Sequence, residues 1–364
     1  MKLAPTISDA VDPNTNYPAG EDIVVADPRT DPLWRQLASG PQGNLFTSPP
    51  WIEAVSGTYG FDAVCRMVIG AGAPIAGLAW VPISDIRGDR LSSLPFCDRA
   101  DPPVADAGRW AALCESVIGP DAPFTLRCFD TAIPAADPVL HRIGSAAWHG
   151  TALDSDLQEI HRRLSKHARR NIAIAQRDGV RVEADTRLDA VRSFHHLHVR
   201  LRKRKYGLLA QPVGLFERIW EAFSGAEAVV TLLAYADAEL IAGALFLAWD
   251  DTLYYKFGAS RPEYLSLRPN DAIFWTGIQW GVAHRLRMLD WGCSDHDQPG
   301  LVAYKRKWST TERTIVTLRA GGEKARVSSE AGTVLGKLTR LLTDESVPDA
   351  ITARAGNLLY RYFC

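Results

Sequence analysis

The sequence has almost no net charge: 41 Lys and Arg stand against 42 Asp and Glu, giving −1 over 364 residues. That balance removes any global pull toward nucleic acid or anionic membranes, so a polyanion site has to arise from local clustering. Structural cysteine pairs are also missing. The six Cys, at 65, 97, 114, 128, 293 and 364, form no C-x-x-C pair and have no His at zinc-finger spacing. A reduced chain with no structural metal is expected. The opening MKLAPTISDAVDPNTNYPAGED has one Lys and no apolar segment, unlike a secretory leader or a presequence. The longest uncharged run, Met67 to Ile83, carries three Gly and two Pro, which suit a strand pair and not a membrane span. A cytoplasmic protein is the expectation. There is no G-x-S-x-G elbow, no Walker loop and no G-x-G-x-x-G after a strand, so hydrolase, NTPase and dehydrogenase readings lose support.

What is present is a globular composition, 46% hydrophobic with 11 Trp, at a length that favours two domains over one. Ser48 reads as the cap of a helix opening with Pro49 and Pro50. CRMVIGAGAPIAGLAWVPIS reads as a hairpin, a further strand is expected near Thr125 to Phe129, and AIPAADP as a linker. Asp154 or Ser155 is expected to cap one long helix with Leu157, Ile160, Leu164, Ala168 and Ile172 on its apolar face. Helices over RSFHHLHVRLRKRKYG and GLFERIWEAFSG follow. Three antiparallel strands then turn at Ala236–Glu239 and Asp250–Asp251. Pro269 and Asn270 open another helix, leading to a strand at Met288–Gly292 and so to a strand–helix–strand crossover. Pro74–Leu78 and Leu240–Ala244 share an Ile-Ala-Gly core in matching hairpins 166 residues apart, which suggests two copies of one α/β unit.

Two constellations could carry chemistry. Seven Arg or Lys between Asp156 and Arg181, including Arg169 and Arg170, are joined by Arg200, Arg202, Lys203, Arg204 and Lys205. Two such helices in a neutral protein would make a phosphate-binding groove; the competing reading is solvated faces with snorkelling side chains. The second is RMLDWGCSDHDQPGLVAYKRKWS, where an apolar strand ends at Asp290 and a polar loop, Cys293 to Asp297, precedes Tyr304, Lys305 and Trp308. Asp290, or His296 with Asp295, could serve as base beside the Lys305 cation. Asp295, His296 and Asp297 are adjacent and cannot all face one metal ion without a special turn. Cys293 has no evident partner as a nucleophile and suits a small strand-end residue. His195, His196 and His198 read as surface or capping histidines.

From Asp156 to Trp308 the order of LSKHARRNIAIAQRDGV, HHLHVRLRKRKYGLLAQP, ADAELIAGALF, YYKFGASRPEYLSLRPNDAIFW and LDWGCSDHDQPGLVAYKRKW resembles the FemAB-like, or CelD-like, acyltransferases of the GNAT superfamily. NLFTSPPWIEAV and RAGNLLYRYF look like pieces from the ends of such chains. The resemblance implies an α/β (α+β) fold of two tandem GNAT-like domains, each a mixed, mainly antiparallel sheet flanked by helices, with a cleft between them. Residues 1–30 would be an irregular arm, 31–153 and 154–320 the two domains, and 321–364 a helical tail. It also implies acyl or aminoacyl transfer to an amine. Lys305 matches the cleft-facing Lys after the last core strand, and Asp290 the strand-end acid. Lys256, Asn270 and Trp308 join Arg169, Arg170, Arg200 and Arg202 as substrate- or phosphate-binding candidates. Leu267–Asp271 stands where a Gly-rich pyrophosphate loop would be expected, although the helix N-terminus after Pro269 could bind an anion.

The leading reading is an N-acyltransferase acting on an amine of a sugar, nucleotide-sugar or lipid-linked glycan precursor in exopolysaccharide or cell-envelope synthesis. Acyl-CoA, such as acetyl-CoA, is one donor and aminoacyl-tRNA the alternative. A non-catalytic polyanion- or glycan-binding partner in a biosynthetic complex is the third reading. No metal and no DNA are expected, while tRNA and peripheral membrane contact stay open.

Overall fold

The computed structural model describes residues 20–364 except 116, 155 and 323–328. The expected arm is therefore seen only from residue 20, and the cap candidate Ser155 lies outside the described residues. The first half runs β1 (Glu21–Ala26), α1 (Pro32–Ala38), α2 (Pro49–Tyr59), β2 (Val64–Gly70), β3 (Ala73–Asp85), β4 (Gly88–Ser92), α3 (Ala107–Cys114), β5 (Phe124–Phe129) and β6 (His141–Ala152). After α4 (Leu157–Arg163) and α5 (Lys166–Arg177) come β7 (Arg181–Asp185), α6 (Leu188–Tyr206), α7 (Val213–Ser224), β8 (Val229–Ala236), β9 (Glu239–Trp249) and β10 (Thr252–Ser260). The chain closes with α8 (Pro269–Ala283), β11 (Met288–Asp295), α9 (Pro299–Arg306), β12 (Thr311–Ala320), α10 (Ser329–Leu342) and α11 (Asp349–Leu359).

Local chemistry sets most of these boundaries. Ser48 caps α2, its hydroxyl accepting from the Trp51 N–H, with Pro49 and Pro50 in the first turn and Gly60 at φ 66° ending it. The helix expected to run unbroken through Leu164 is two helices. Leu164 and Ser165 are extended, and Ser165 caps α5 by accepting from the Ala168 N–H. The AIPAADP stretch contains a single helical turn, Ile133–Ala136, and leads into β6, which the sequence reading did not find. Strand β11 runs past Gly292 to Asp295, so Cys293 and Ser294 lie on the strand and not in a loop. His195 and His198 are buried, bonded through Nε2 to the Gln211 main-chain and side-chain oxygens, which overturns their reading as surface or capping groups.

All twelve strands form one sheet in the order β1-β2-β3-β4-β5-β12-β6-β11-β10-β9-β8-β7. Two copies of one pattern meet at its centre. In each, four antiparallel strands (β1–β4, β7–β10) are followed by a crossover helix (α3, α8) and a fifth strand (β5, β11) parallel to the fourth. The sixth strands are exchanged: β6 pairs with β11 of the second copy, β12 with β5 of the first, and the two pair with each other. This exchange ties the halves together through main-chain hydrogen bonds.

Helices α1, α2, α6 and α7 cover one face and share a core in which Trp34, Phe46, Trp51, Phe194 and Phe216 are almost fully buried. Helices α5 and α8 cover the opposite face of the second copy over Ile172, Phe246, Phe274, Trp291 and Trp308. Helix α3 does the same for the first copy. Among the described residues, no helix is long and apolar enough to cross a membrane. Trp291 is completely buried and stacks on Phe274 at 4.1 Å between ring centroids. Trp291→Ala should therefore cost about 3–5 kcal/mol in a urea melt. A loss under about 1 kcal/mol would mean that the site collapses without a cavity.

Candidate active site

The site begins where β10 and β11 part. They pair as parallel strands at only three positions, Thr252–Met288, Leu253–Leu289 and Tyr254–Asp290. Each then carries an irregularity: β10 slips register between Tyr255 and Phe257, and β11 between Asp290 and Cys293, where Gly292 takes φ 70°. Beyond this point the facing edges of the two strands no longer satisfy one another. A wedge opens, floored by β10 and walled by α9. It forms a cavity of about 550 Å³ bounded by Tyr255, Ser260, Phe274, Leu301, Tyr304 and Lys305.

A second cavity of about 630 Å³ shares Leu201, Lys205, Ser260, Asn270 and Tyr304 with the first and continues it over the N-terminus of α8. Arg200, Arg204, Lys205, Arg268 and Lys307 line it. Arg261 also lines it and pairs with Glu239 and Glu263, and Arg200 is 3.6 Å from Asp349, whereas among the described residues no carboxylate lies within 4 Å of Arg204, Lys205, Arg268 or Lys307. Arg268 holds φ 60° immediately before Pro269, a conformation that costs a non-glycine residue roughly 1–2 kcal/mol. Asp271 is buried in the first turn of α8 and accepts from Asn171 Nδ2 at 3.2 Å.

Next to the wedge lies a buried charge cluster drawn from both halves. The loop between β4 and α3 carries Asp98, Arg99 and Asp101, and the second half contributes Lys256, Asp290 and Lys305. Lys256 Nζ bonds Asp98 Oδ1 at 2.8 Å and sits over the Phe46 and Trp51 rings. Burial alone would raise the Asp98 pKa, but the attraction and hydrogen bond of Lys256, with Lys305 and Arg127, hold it below the usual carboxylate range. Burial raises Asp290 against the pull of Arg99. Asp290 Oδ1 accepts from the Gly292 N–H at 2.7 Å, fastening the bulge. A Cβ at Gly292 would stand 2.6 Å from Asp98 Oδ2, so glycine is needed there both for φ and for the approach of the two halves. Lys305 is buried, donates to the Cys293 carbonyl at 2.9 Å and reaches the wedge; burial lowers its pKa against the attraction of Cys293, Asp98 and Asp290.

Of the three residues expected to be catalytic, only Lys305 borders either of these two cavities. Asp290 is buried beside it as the clasp of the bulge. His296 falls in the exposed turn between β11 and α9, because the strand runs further than expected. Arg200 and Asn270 line the groove. Arg202 does not: two residues along a helix are about 200° of rotation, and its Nε bonds the Leu209 carbonyl instead. Arg169 and Arg170 lie on α5 outside the groove lining. Lys256 is held in the Asp98 pair, and Trp308 is a core residue, 1% exposed. Cys293 has its thiol pKa raised by burial, in keeping with a small strand residue. The sequence reading missed Asp98 and Arg99, for which the available signal was CDRAD, charges of both signs in an otherwise apolar stretch, and it gave Tyr304 and Arg268 no role of their own although both fell in segments it singled out. Among the described residues no group of three or more His, Cys, Asp or Glu could hold a metal ion.

Residues 161–306 match the family model described as the acetyltransferase (GNAT) domain. No curated protein matches the sequence significantly. Among solved structures the chain is similar to FemX, at 15% identity and a TM-score of 0.61 over 77% of this chain and 93% of that one. It is also similar to a tandem GNAT protein from the clavulanic acid biosynthesis pathway, at 14% identity and a TM-score of 0.50 over 83% and 98%. The tandem GNAT fold expected from the sequence is therefore the fold of this chain, and the GNAT acetyltransferase domain matched over residues 161–306 supports an enzyme that transfers acyl groups.

Asp271 gives the groove a measurable signature. Burial, opposed by the Asn171 hydrogen bond, raises its pKa to about 6. Because the folded pKa exceeds the unfolded one, the ionised form opposes folding, and stability is lost as pH rises from about 4 to 6. At ~1.36 kcal/mol per unit, Asp271→Asn should raise stability at pH 7 by up to about 3 kcal/mol. The gain should disappear near about pH 3.5, where both states hold the proton. A denaturant series in which the variant is less stable at pH 7, or equally stabilised at all pH values, would contradict this.

Proposed function

Starting from a GNAT-fold acyltransferase, we propose that this chain transfers an acyl group from a phosphate-bearing thioester, acyl-CoA, to an amine. The acceptor is an amino group of a sugar, nucleotide-sugar or lipid-linked glycan precursor in envelope or exopolysaccharide synthesis. The observation that carries the reading is the parting of β10 and β11 into a cation-lined groove with Lys305 at its apex.

The residues fit such a donor. Arg204, Lys205, Arg268 and Lys307, with the N-terminus of α8, suit a diphosphate and explain how the groove can do without a Gly-rich loop. The open strand edges suit the amides of an extended pantetheine arm. The bound donor would supply an activated acyl carbonyl. Lys305 Nζ, already held by the Cys293 carbonyl, provides a fixed positive charge where the carbonyl oxygen becomes negative. Tyr304 lines both cavities, its buried hydroxyl hydrogen has no acceptor among the described residues, and burial pushes its pKa well above the usual phenol value. It therefore stays neutral and can donate a hydrogen bond toward the thioester, while the proton released by the attacking amine passes to the departing thiolate to give the free thiol. Asp290 acts as an orienting group, through Gly292, and not as the base.

Lys305→Met should keep the fold by circular dichroism and thermal melting while lowering turnover by about 10²–10³, the usual cost of losing an oxyanion donor. Unchanged turnover would remove Lys305 from the mechanism. Arg204→Gln combined with Arg268→Gln should weaken CoA binding at least about tenfold in calorimetry and flatten its salt dependence. Equal binding would put the donor elsewhere. Activity that survives RNase keeps acyl-CoA as donor, and activity lost to RNase would assign aminoacyl-tRNA.

A further inference from the structure

We propose that a third cavity, where the first half of the chain meets β12, binds an oxyanion of the acceptor substrate, a phosphate or a carboxylate, between Arg99 and Arg313. The assignment to the acceptor rests on the acyltransfer reading above; the anion site itself does not.

The cavity measures about 430 Å³ and is bounded by Arg99, Asp101, Ala105, Phe129, Thr131 and Arg313. It lies where β5 ends and β12 begins, beside the loop that follows β4, away from the α6–α8 groove. Both guanidinium groups pack on one ring: Arg313 Cζ is 3.5 Å and Arg99 Cζ 4.4 Å from the Phe129 centroid. Two like charges held this close repel each other, and each needs compensation. Arg99 obtains it from Asp101 at 2.6 Å. The other Asp101 oxygen accepts from the Phe129 N–H at 2.8 Å, which turns that carboxylate toward Arg99 and the β5 backbone. Arg313 is left with the neutral Thr131 hydroxyl at 2.7 Å, and among the described residues no carboxylate lies within 4 Å of it. The attraction of Asp101 and of exposed Asp130 does not offset partial desolvation and the repulsion of Arg99, which together lower the Arg313 pKa.

A planar, forked donor with free N–H groups, facing a cavity with excess positive charge, selects an oxyanion that can accept two bonds at once. The position connects the cavity to the chemistry. Arg99 is also an electrostatic neighbour of Asp290 and Tyr254, the last residues paired before the wedge opens, and Asp290 clasps the bulge next to Lys305. Arg99 thus links this cavity to the residues at which the wedge opens. An acceptor anchored here by its anion would present its amine toward that opening.

The test uses the full chain with Arg204→Gln and Arg268→Gln, which removes the donor groove as a competing phosphate site. Inorganic phosphate and, separately, acetate are titrated by calorimetry. One anion site should remain, weakened at least tenfold when Arg313→Gln is added and likewise by Ala105→Asp, which sets a fixed carboxylate in the cavity. Both positions are exposed, so neither substitution should disturb the core. Tighter phosphate binding assigns a phosphorylated acceptor, and tighter acetate binding a carboxylate. Binding of neither anion, or binding indifferent to both variants, overturns the proposal. CoA binding measured in the Arg313→Gln protein reports separately on the donor reading and should be unchanged.

Discussion

The structure depends on how briefly β10 and β11 remain paired. Three residue pairs suffice to fix the strands at their base, and the bulges at Tyr255–Phe257 and Gly292 then turn them apart. Had the ladder continued, the space now bounded by Tyr255, Tyr304 and Lys305 would be filled by backbone. An opening between strands exposes unpaired amides and carbonyls, which a sheet normally avoids. Here α9 and α8 flank the opening, so those groups face a cavity and not bulk solvent. The first copy has the same feature in reduced form, since β4 and β5 pair at only Leu91–Phe124 and Ser92–Thr125. Its crossover loop is used differently: it carries Asp98 and Arg99 toward the centre of the molecule.

That central charge cluster is costly to build, because ions taken from water must recover their hydration through partners. Lys256 and Asp98 recover it from each other, and aromatic faces add to the Lys256 side. Exchange of β6 and β12 holds the halves rigidly enough for groups far apart in sequence to meet at hydrogen-bond distance. Other costs sit in the groove: Arg268 at positive φ and a buried, reluctantly ionised Asp271. Unfavourable local choices concentrated in one cavity are the physical mark of a site kept for function and not for stability.

Much of this was readable in the sequence, and the division between readable and hidden follows range. Ser48 with Pro49 and Pro50, and Pro269 opening α8, were legible because a helix start is decided within four residues. The matching hairpins pointed correctly to an internal repeat. The break at Ser165 was missed because Leu164 and Ala168 fit one apolar stripe, which hides a cap in the middle of the pattern. Strands β6 and β12 and their exchange were invisible, since their partners are chosen across the whole chain. The same limit applies to the site. Lys305 was found because it follows its strand closely, while Asp98 was missed because its partner Lys256 is 158 residues away. Arg200 and Arg202 are equivalent in composition, and only helix phase puts one in the groove.

The central claim is that the gap between β10 and β11 receives the donor. Hydrogen–deuterium exchange with and without CoA tests it most directly, because backbone amides report on the gap itself. The account predicts slowed exchange over residues 255–260, 292–295 and 298–305 and at the start of α8, with the corresponding gap of the first copy, around residues 91–93 and 124–126, unchanged. Protection confined to the first copy, or none along β10 and β11 at saturating CoA, would contradict it.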